Sequence, residues 1–437
     1  MLNISKNKIR ILITGGTGFI GFYAVKYYVK QGYTVRVLVR KGHEQKLINI
    51  NGIQLAYGDM KDKKSLLEAT KGVDWIINFA AAKSDEKDSY KINVEGVKNL
   101  LEGAKKNNVS AIIQISTISA KIKKLGIYGA TKAAADRLLL DSTMPVTILR
   151  PSVVYGDLTS GIFGSLVKAS NLPIIPIFGS GECFFYPIHV DDLIKATEIA
   201  AMNKKLRSKI YDIGGPDKVS LNVLVNTIAK NKGKRPAIIH IPAIFGIGIA
   251  KILSKIFYRA PITASNILGS TQNVSIDVQT FFKDFNFIPR SLQQGLSSLF
   301  IKIKKQNEEA NLLFSYVLPK KIRSKLSDED YDKYQRALEQ HDINFYKSIP
   351  SYFSFILGPC DAFSKIFFPY SQLQKKLKII IALVETSPYS APWLLPKQYS
   401  FIEMGITFST LFMITVIKFI SGFILFLVPG LYKKYVI

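Results

Sequence analysis

Cysteine is scarce in this chain of 437 residues: there are two, Cys183 and Cys360, far apart. They form no CxxC pair, which excludes a disulfide framework or cysteine-bound zinc, and a reducing compartment fits best. The four histidines (His43, His189, His240 and His341) are scattered, and none has metal-ligand spacing. Negative charge is scarce too: 32 acidic residues face 59 Lys and Arg, a formal net charge of +27. Such an excess suits an anionic partner, whether a phosphorylated small molecule, an anionic membrane surface or nucleic acid, or simply a lysine-rich solvated surface. No long Lys/Arg block and no nucleic-acid module is present, so nucleic acid is not expected. Met1 to Arg10 is polar and basic, without an apolar run before a cleavage site. A secretory signal is therefore not expected, and the N-terminal part is assigned to the cytoplasm.

Apolar residues are plentiful, at 48%, enough for a large core and two or three structural units. Strand-like runs alternate with helical ones over the first 150 residues. Strands are expected at 9–14, 34–39, 53–56, 73–80, 111–115 and 146–149, and helices at 22–31, 64–70, 93–107 and 130–140. Short connections between them imply an α/β fold, a doubly wound parallel sheet covered on both faces. From about residue 151 the rhythm loosens and Pro173, Pro176, Gly179 and Gly181 punctuate it. Residues 151–300 read mainly as a smaller lobe beside the sheet.

The turn after the first strand is Thr14-Gly15-Gly16-Thr17-Gly18-Phe19-Ile20-Gly21. Between a strand and a helix, this spacing is that of a Rossmann dinucleotide loop. Gly15 permits the tight turn, Gly18 opens a path for the pyrophosphate, and Gly21 allows close helix packing. Thr17, Gly18, Phe19 and Ile20 present the helix N-terminus to the phosphates. The second strand ends in Val39-Arg40-Lys41, without the acidic residue that holds the ribose hydroxyls of NAD. Arg40 suits a 2′-phosphate, so NADP(H) is favoured, with NAD(H) the alternative if Arg40 stacks on adenine or faces solvent. Asp59 and Met60 follow the third strand, where Asp59 can accept from the adenine amino group. Ala80, Ala81 and Ala82 follow the fourth and are small enough for a cofactor to cross them.

Tyr128 and Lys132 stand four residues apart in Tyr-Gly-Ala-Thr-Lys, on one face of the expected helix. A neighbouring lysine is expected to lower the phenol pKa and make Tyr128 an acid/base, and Lys132 can also hold a ribose. Ile115-Ser116-Thr117 closes the fifth strand at the sheet edge where ligands bind. Thr117 is the first choice to hold a substrate oxygen, with Ser116 and Ser119 as alternatives; the competing reading is a hydroxyl that caps a turn.

Together with Asn93 in NVEG, LRPSVVYG at 149–156, IHVDD at 188–192, YDIGG at 211–215 and PRSLQQGL at 289–296, these motifs resemble the extended short-chain dehydrogenase/reductase family, which includes epimerase/dehydratase enzymes. The resemblance covers about residues 8–300. It implies hydride transfer between nicotinamide and a hydroxyl or ketone carbon. Tyr128 would exchange the proton, Lys132 would tune it and Thr117 would orient the substrate. Pro151 and Val153 would pass the nicotinamide, and His189 and Asp191 would have packing roles. The span of eleven positions from Thr117 to Tyr128 is shorter than in sugar-nucleotide members, and it includes Lys121, Lys123 and Lys124. The apolar stretch Ile239 to Gly269 is similar to 3β-hydroxysteroid dehydrogenase-like members and hints at a lipid-like substrate, against the plainer reading of a packed helix pair. The alternatives kept are a nucleotide-sugar epimerase/dehydratase, with Lys168 and Arg259 as candidate grips, and a non-catalytic NADPH-binding assembly subunit of a membrane complex.

Residues 301–403 read as a helical extension of unknown role, with a helix start at Ser327. Residues 404–437 carry the apolar run 405–428, broken by Lys418 and followed by Tyr432-Lys433-Lys434-Tyr435. A membrane helix is expected there, or an interfacial one, making the protein cytoplasmic and membrane-associated. Association of the chain with copies of itself is left open.

Overall fold

The computed structural model describes residues 6–48, 50–82, 86–122, 126–157, 161–248, 267 and 272–301. The chain divides into two units at the Phe300–Ile301 junction, and the described residues belong almost wholly to the first.

Six strands are joined by crossovers: β1 Arg10–Thr14, β2 Thr34–Val39, β3 Ile53–Tyr57, β4 Trp75–Asn78, β5 Ala111–Ile115 and β6 Val146–Pro151. The helices between them are α1 Phe19–Lys30, α2 Lys63–Ala69, α3 Glu86–Tyr90, α4 Gly96–Lys106 and α5 Ile127–Leu140. Beyond β6 come β7 Val154–Tyr155, α6 Gly161–Ala169, β8 Ile174–Phe178, β9 Phe184–Phe185, β10 Ile188–His189, α7 Val190–Met202, β11 Lys209–Ile213, β12 Val219–Ser220, α8 Leu221–Asn231, β13 Ala237–Ile241 and α9 Val278–Phe285, and residues 292–301 are again helical. The main sheet has seven parallel strands in the order β3-β2-β1-β4-β5-β6-β11. The direction of winding reverses between β1 and β4, and a crevice opens at their carboxyl ends.

The strands are apolar nearly throughout because both faces are covered. Successive side chains alternate between two cores. Ile11, Ile13, Val35, Val37, Ile77 and Ile113 pack with α1, α7 and α9. Leu12, Leu38, Ile76, Ile112 and Ile148 pack with α2, α4 and α5. Fully burying one such aliphatic side chain stabilises by roughly 1.5–3 kcal/mol.

Several boundaries differ from the sequence expectation: the fourth strand is shorter (Trp75–Asn78) and the sixth longer (to Pro151), and helices begin earlier, α5 at Ile127 and not Ala130. Helix α1 begins at Phe19, not Phe22, because Gly18 serves as its N-cap without a capping side chain. The helix expected from Asn93 starts at Glu86 and passes through a π-helical turn, Lys91–Glu95, before α4. That turn aims Asn93 sideways: its amide donates to the Ala82 carbonyl and its oxygen accepts from the Ala82 N–H, both at 2.9 Å. Such turns occur often at functional sites.

In the lobe, β8 pairs with β13 in parallel, β9 with β12 antiparallel, and β7 with β10 in parallel. Among the described residues, no helix is long and apolar enough to cross a membrane, and no cluster of His, Cys, Asp and Glu is placed to hold a metal. The helical extension expected after residue 301, the apolar run 405–428, Lys123, Lys124, Arg259 and residues 249–266 lie outside the described residues.

Candidate active site

The loop after β1 is shaped by close approach. Gly15 has a φ of +69°, and a Cβ there would stand 2.7 Å from the Ala80 nitrogen. Only glycine relieves both constraints. A Cβ on Gly21 would meet the Gly15 carbonyl oxygen at 2.2 Å. The third glycine thus seats α1 on the loop itself rather than on the sheet. With no side chain capping α1, its first N–H groups and positive dipole end are offered to an anion. Phe19 and Ile20 form the first turn, and Thr17 lies in the loop before them. These features fit a dinucleotide pyrophosphate.

Beneath the loop runs a buried polar ladder across three strands. The Thr14 hydroxyl donates to the Asn78 side-chain oxygen, and the Asn78 amide donates to Gln114 Oε1 at 2.7 Å. The Ala80 N–H donates to Asn78 Oδ1 at 3.1 Å. This fixes the chain at Ala80–Ala82 over the end of β4, and Ala80 and Ala82 are only partly exposed.

Arg40 is exposed at the carboxyl end of β2. Lys46 donates to the Thr17 carbonyl at 3.5 Å, which sets a second cation beside the glycine loop. Sequence reading missed Lys46, because nothing in its spacing signals the return of the chain. Asp59 lies in a turn, where its Oδ1 accepts from the Lys61 N–H at 2.9 Å. Met60 is buried against Gly96.

Tyr128 and Lys132 both lie on α5. Lys132 is buried, and its ammonium donates to the Ile115 carbonyl at 2.6 Å, which ties the helix to the carboxyl end of β5. One turn further on, Asp136 is buried; its Oδ2 accepts from Ser116 and from Arg150 Nε, each at 2.8 Å. Burial pushes the Asp136 carboxyl up, against Arg150 and the Ser116 hydrogen bond, which act to lower it. Burial also raises the Tyr128 phenol, helped by the Asp136 carboxylate, to about 12. This direction is opposite to the expected lowering: loss of water around the ring is the largest cause, and the Asp136 carboxylate adds to it.

The three hydroxyls at the end of β5 have different positions. Ser116 is buried and bonded to Asp136, which removes it as a substrate ligand. Thr117 caps the short helical turn Ile118–Lys121, its Oγ1 accepting from the Ser119 N–H at 3.2 Å. Its own O–H is not consumed by that bond. Lys121 reaches away to Asp212 at 2.6 Å and to the Ser275 carbonyl at 2.7 Å, so this basic residue of the short segment ties the loop to β11. Pro151 is buried at the end of β6, and Val153 is half-buried beside β7.

His189 caps α7 by accepting from the Asp191 N–H at 3.2 Å. Its ring meets Tyr155 edge-on at 5.2 Å. Asp192, next in the motif, takes Arg290 in a two-pronged pair at 2.8 and 2.9 Å, which explains physically why IHVDD and PRSLQQGL both appear.

A parallel sheet with a glycine loop at its switch point and a Tyr/Lys helix beside it defines an NAD(P)-dependent enzyme of the short-chain dehydrogenase/reductase type. Residues 11–214, just under half of the chain, match the model of the NAD dependent epimerase/dehydratase family. A divinyl chlorophyllide a 8-vinyl-reductase of Arabidopsis thaliana is 27% identical over 58% of this chain. The match spans 66% of that protein's length. Sterol demethylase protein B of Methylococcus capsulatus is 26% identical over 47% of this chain and 69% of its own. The solved dTDP-glucose 4,6-dehydratase of Bacillus anthracis, in complex with NAD, superposes with a TM-score of 0.55 at 22% identity. It covers 69% of this chain and 98% of that one, a likeness of fold.

Proposed function

We propose that this chain is an NADP(H)-preferring oxidoreductase that reduces a ketone, or oxidises the matching alcohol, on a lipid-like substrate. The observation that carries the reading is Tyr128: a half-buried phenol raised to about 12, on the helix that Lys132 pins to the end of β5. At neutral pH it holds its proton and can donate it to a carbonyl oxygen.

The glycine loop, the N-terminus of α1, Ala80–Ala82, Pro151 and Val153 would hold the dinucleotide. When bound, it supplies or accepts the hydride at its nicotinamide ring. Tyr128 delivers a proton to the substrate oxygen in reduction and removes it in oxidation. Lys132 positions the helix and contributes positive charge beside the developing oxyanion. Thr117 offers its O–H to the same oxygen. Arg40, with Lys46 nearby, supports the preference for a 2′-phosphate. The lipid-like substrate is supported by the apolar stretch from Ile239 and by one relative's name, which is that of a sterol demethylase protein. Residues 405–428 would then hold the enzyme at a membrane facing the cytoplasm.

The test is turnover. Tyr128→Phe should bind NADPH as the wild type does and lose roughly 10²–10⁴-fold in ketone reduction. A Tyr128→Phe protein with undiminished turnover would overturn the catalytic role and favour an assembly subunit that uses the cofactor for structure.

A further inference from the structure

The pair β8–β13 has one face packed and one that the described residues leave largely exposed. The packed face buries Ile175 and Ile177 against Val225 of α8. His240 lies on that side too, bonded to Asn222 of α8 at 3.1 Å. The register sets Ile174 beside Ala237, Pro176 beside Ile239 and Phe178 beside Ile241. These six apolar residues share the other face, where Ile174 and Ile239 are 51% and 47% exposed.

The surface continues past β13. Residues 243–248 are helical. Gly246 sits on the Phe178 ring, where a Cβ would come within 2.3 Å. That contact turns the neighbouring side chains outward: Ile244 is 75% exposed and Phe245 63%. Contiguous apolar surface of this kind marks an interaction site rather than a solvated face.

Charge names the partner. Residues 161–182 and 217–248 build this region and carry Asp217 and Glu182, the latter accepting from the Asn222 amide of α8 at 2.7 Å, against Lys168, Lys218, Lys230, Lys232, Lys234 and Arg235. The Lys232 and Lys234 ammonium groups both reach Asn171 Oδ1, at 2.5 and 3.1 Å. They therefore stand beside exposed Leu172, at the rim of the apolar face. An apolar floor with cations in excess around it matches the acyl boundary and phosphates of an anionic bilayer.

We infer that the exposed face of β8–β13, with Ile244 and Phe245, docks on an anionic lipid surface. The contact lies in the lobe and is separate from the apolar run 405–428. It does not depend on the redox reading.

The test uses the full chain with Cys183→Ala and Cys360→Ala, labelled with an environment-sensitive fluorophore at Ile244→Cys. A second label at Ile174→Cys covers the case in which the first variant folds poorly. Vesicles of phosphatidylcholine with phosphatidylglycerol should shift the emission to the blue at both positions, more than phosphatidylcholine alone. Lys234→Gln and Arg235→Gln should each weaken docking about fivefold, and added salt should do the same. Unchanged emission on anionic vesicles overturns the inference. So does a blue shift without vesicles, which would mean that the chain covers this face itself. A shift that follows protein concentration instead of lipid would assign the face to a second copy and overturn it too.

Discussion

Burial of Tyr128 decides which way its proton moves. With the phenol raised to about 12, the protonated acid is present at all ordinary pH and the phenolate is scarce. Ketone reduction should therefore show no loss from Tyr128 ionisation between about pH 6 and 9, whereas alcohol oxidation should rise with pH across that range. Initial rates in both directions across the range check this; a reductive limb that collapses near pH 8 would place the phenol much lower. Asp136 acts one step behind. Asp136→Ala leaves Arg150 as a half-buried charge without its partner, a loss of roughly 3–5 kcal/mol measurable by thermal or denaturant unfolding. Neither effect is legible in the sequence. Ser116 and Arg150 stand 20 and 14 residues from Asp136, and no periodicity links them. Tyr128 and Lys132 were legible because helical spacing alone puts them on one face. The direction of the phenol shift was not, since it depends on how much water the fold removes.

At the scale of elements, the strands were read most accurately. Apolar runs such as Thr34–Val39 and Ala111–Ile115 match their observed limits. Helix starts were read less well. Gly18 and Gly21 dilute the helical signal in the first turn of α1, and polar Glu86–Lys91 hides the turn before Asn93. The glycine spacing nevertheless pointed to the loop, and Gly21→Ala should separate α1 from it. Its Cβ would collide with the Gly15 carbonyl at 2.2 Å, so cofactor affinity should fall at least tenfold with the fold retained, as titration and circular dichroism would show. The opposite edge of the sheet has its own tie. Glu198 on α7 accepts from Lys6 at 2.8 Å and from the Tyr33 hydroxyl at 2.7 Å. Burial acts to raise this carboxyl, but the bonds from Lys6, Tyr27 and Tyr33 outweigh it and hold it low. A depressed carboxylate stabilises above its ordinary value of 4.5 and loses that contribution as pH falls through the folded value. Glu198→Gln should therefore lower the melting temperature at pH 7, and the difference from wild type should shrink below pH 4.5.

For the molecule as a whole, the order β3-β2-β1-β4-β5-β6-β11 brings the glycine loop, Ala80–Ala82, Thr117 and Tyr128 to one edge of the sheet. The α/β class and the identity of that edge followed from the alternation of runs. The lobe was expected from its looser rhythm, but its strand pairs were not, because several of its strands have only two residues and carry no period. The chain's return into the sheet at β11 was equally unreadable. Ligand linkage offers a global readout: a dinucleotide at about 100 times its Kd should stabilise the fold by roughly 2.7 kcal/mol. The decisive measurement is titration of the detergent-solubilised full chain with NADPH and NADH, by quenching of protein fluorescence, on wild type and Arg40→Asp. The wild type should bind NADPH at least tenfold more tightly, and Arg40→Asp should abolish or reverse that preference. Failure to bind either dinucleotide would contradict the assignment of this edge as a redox site and leave the fold as a scaffold.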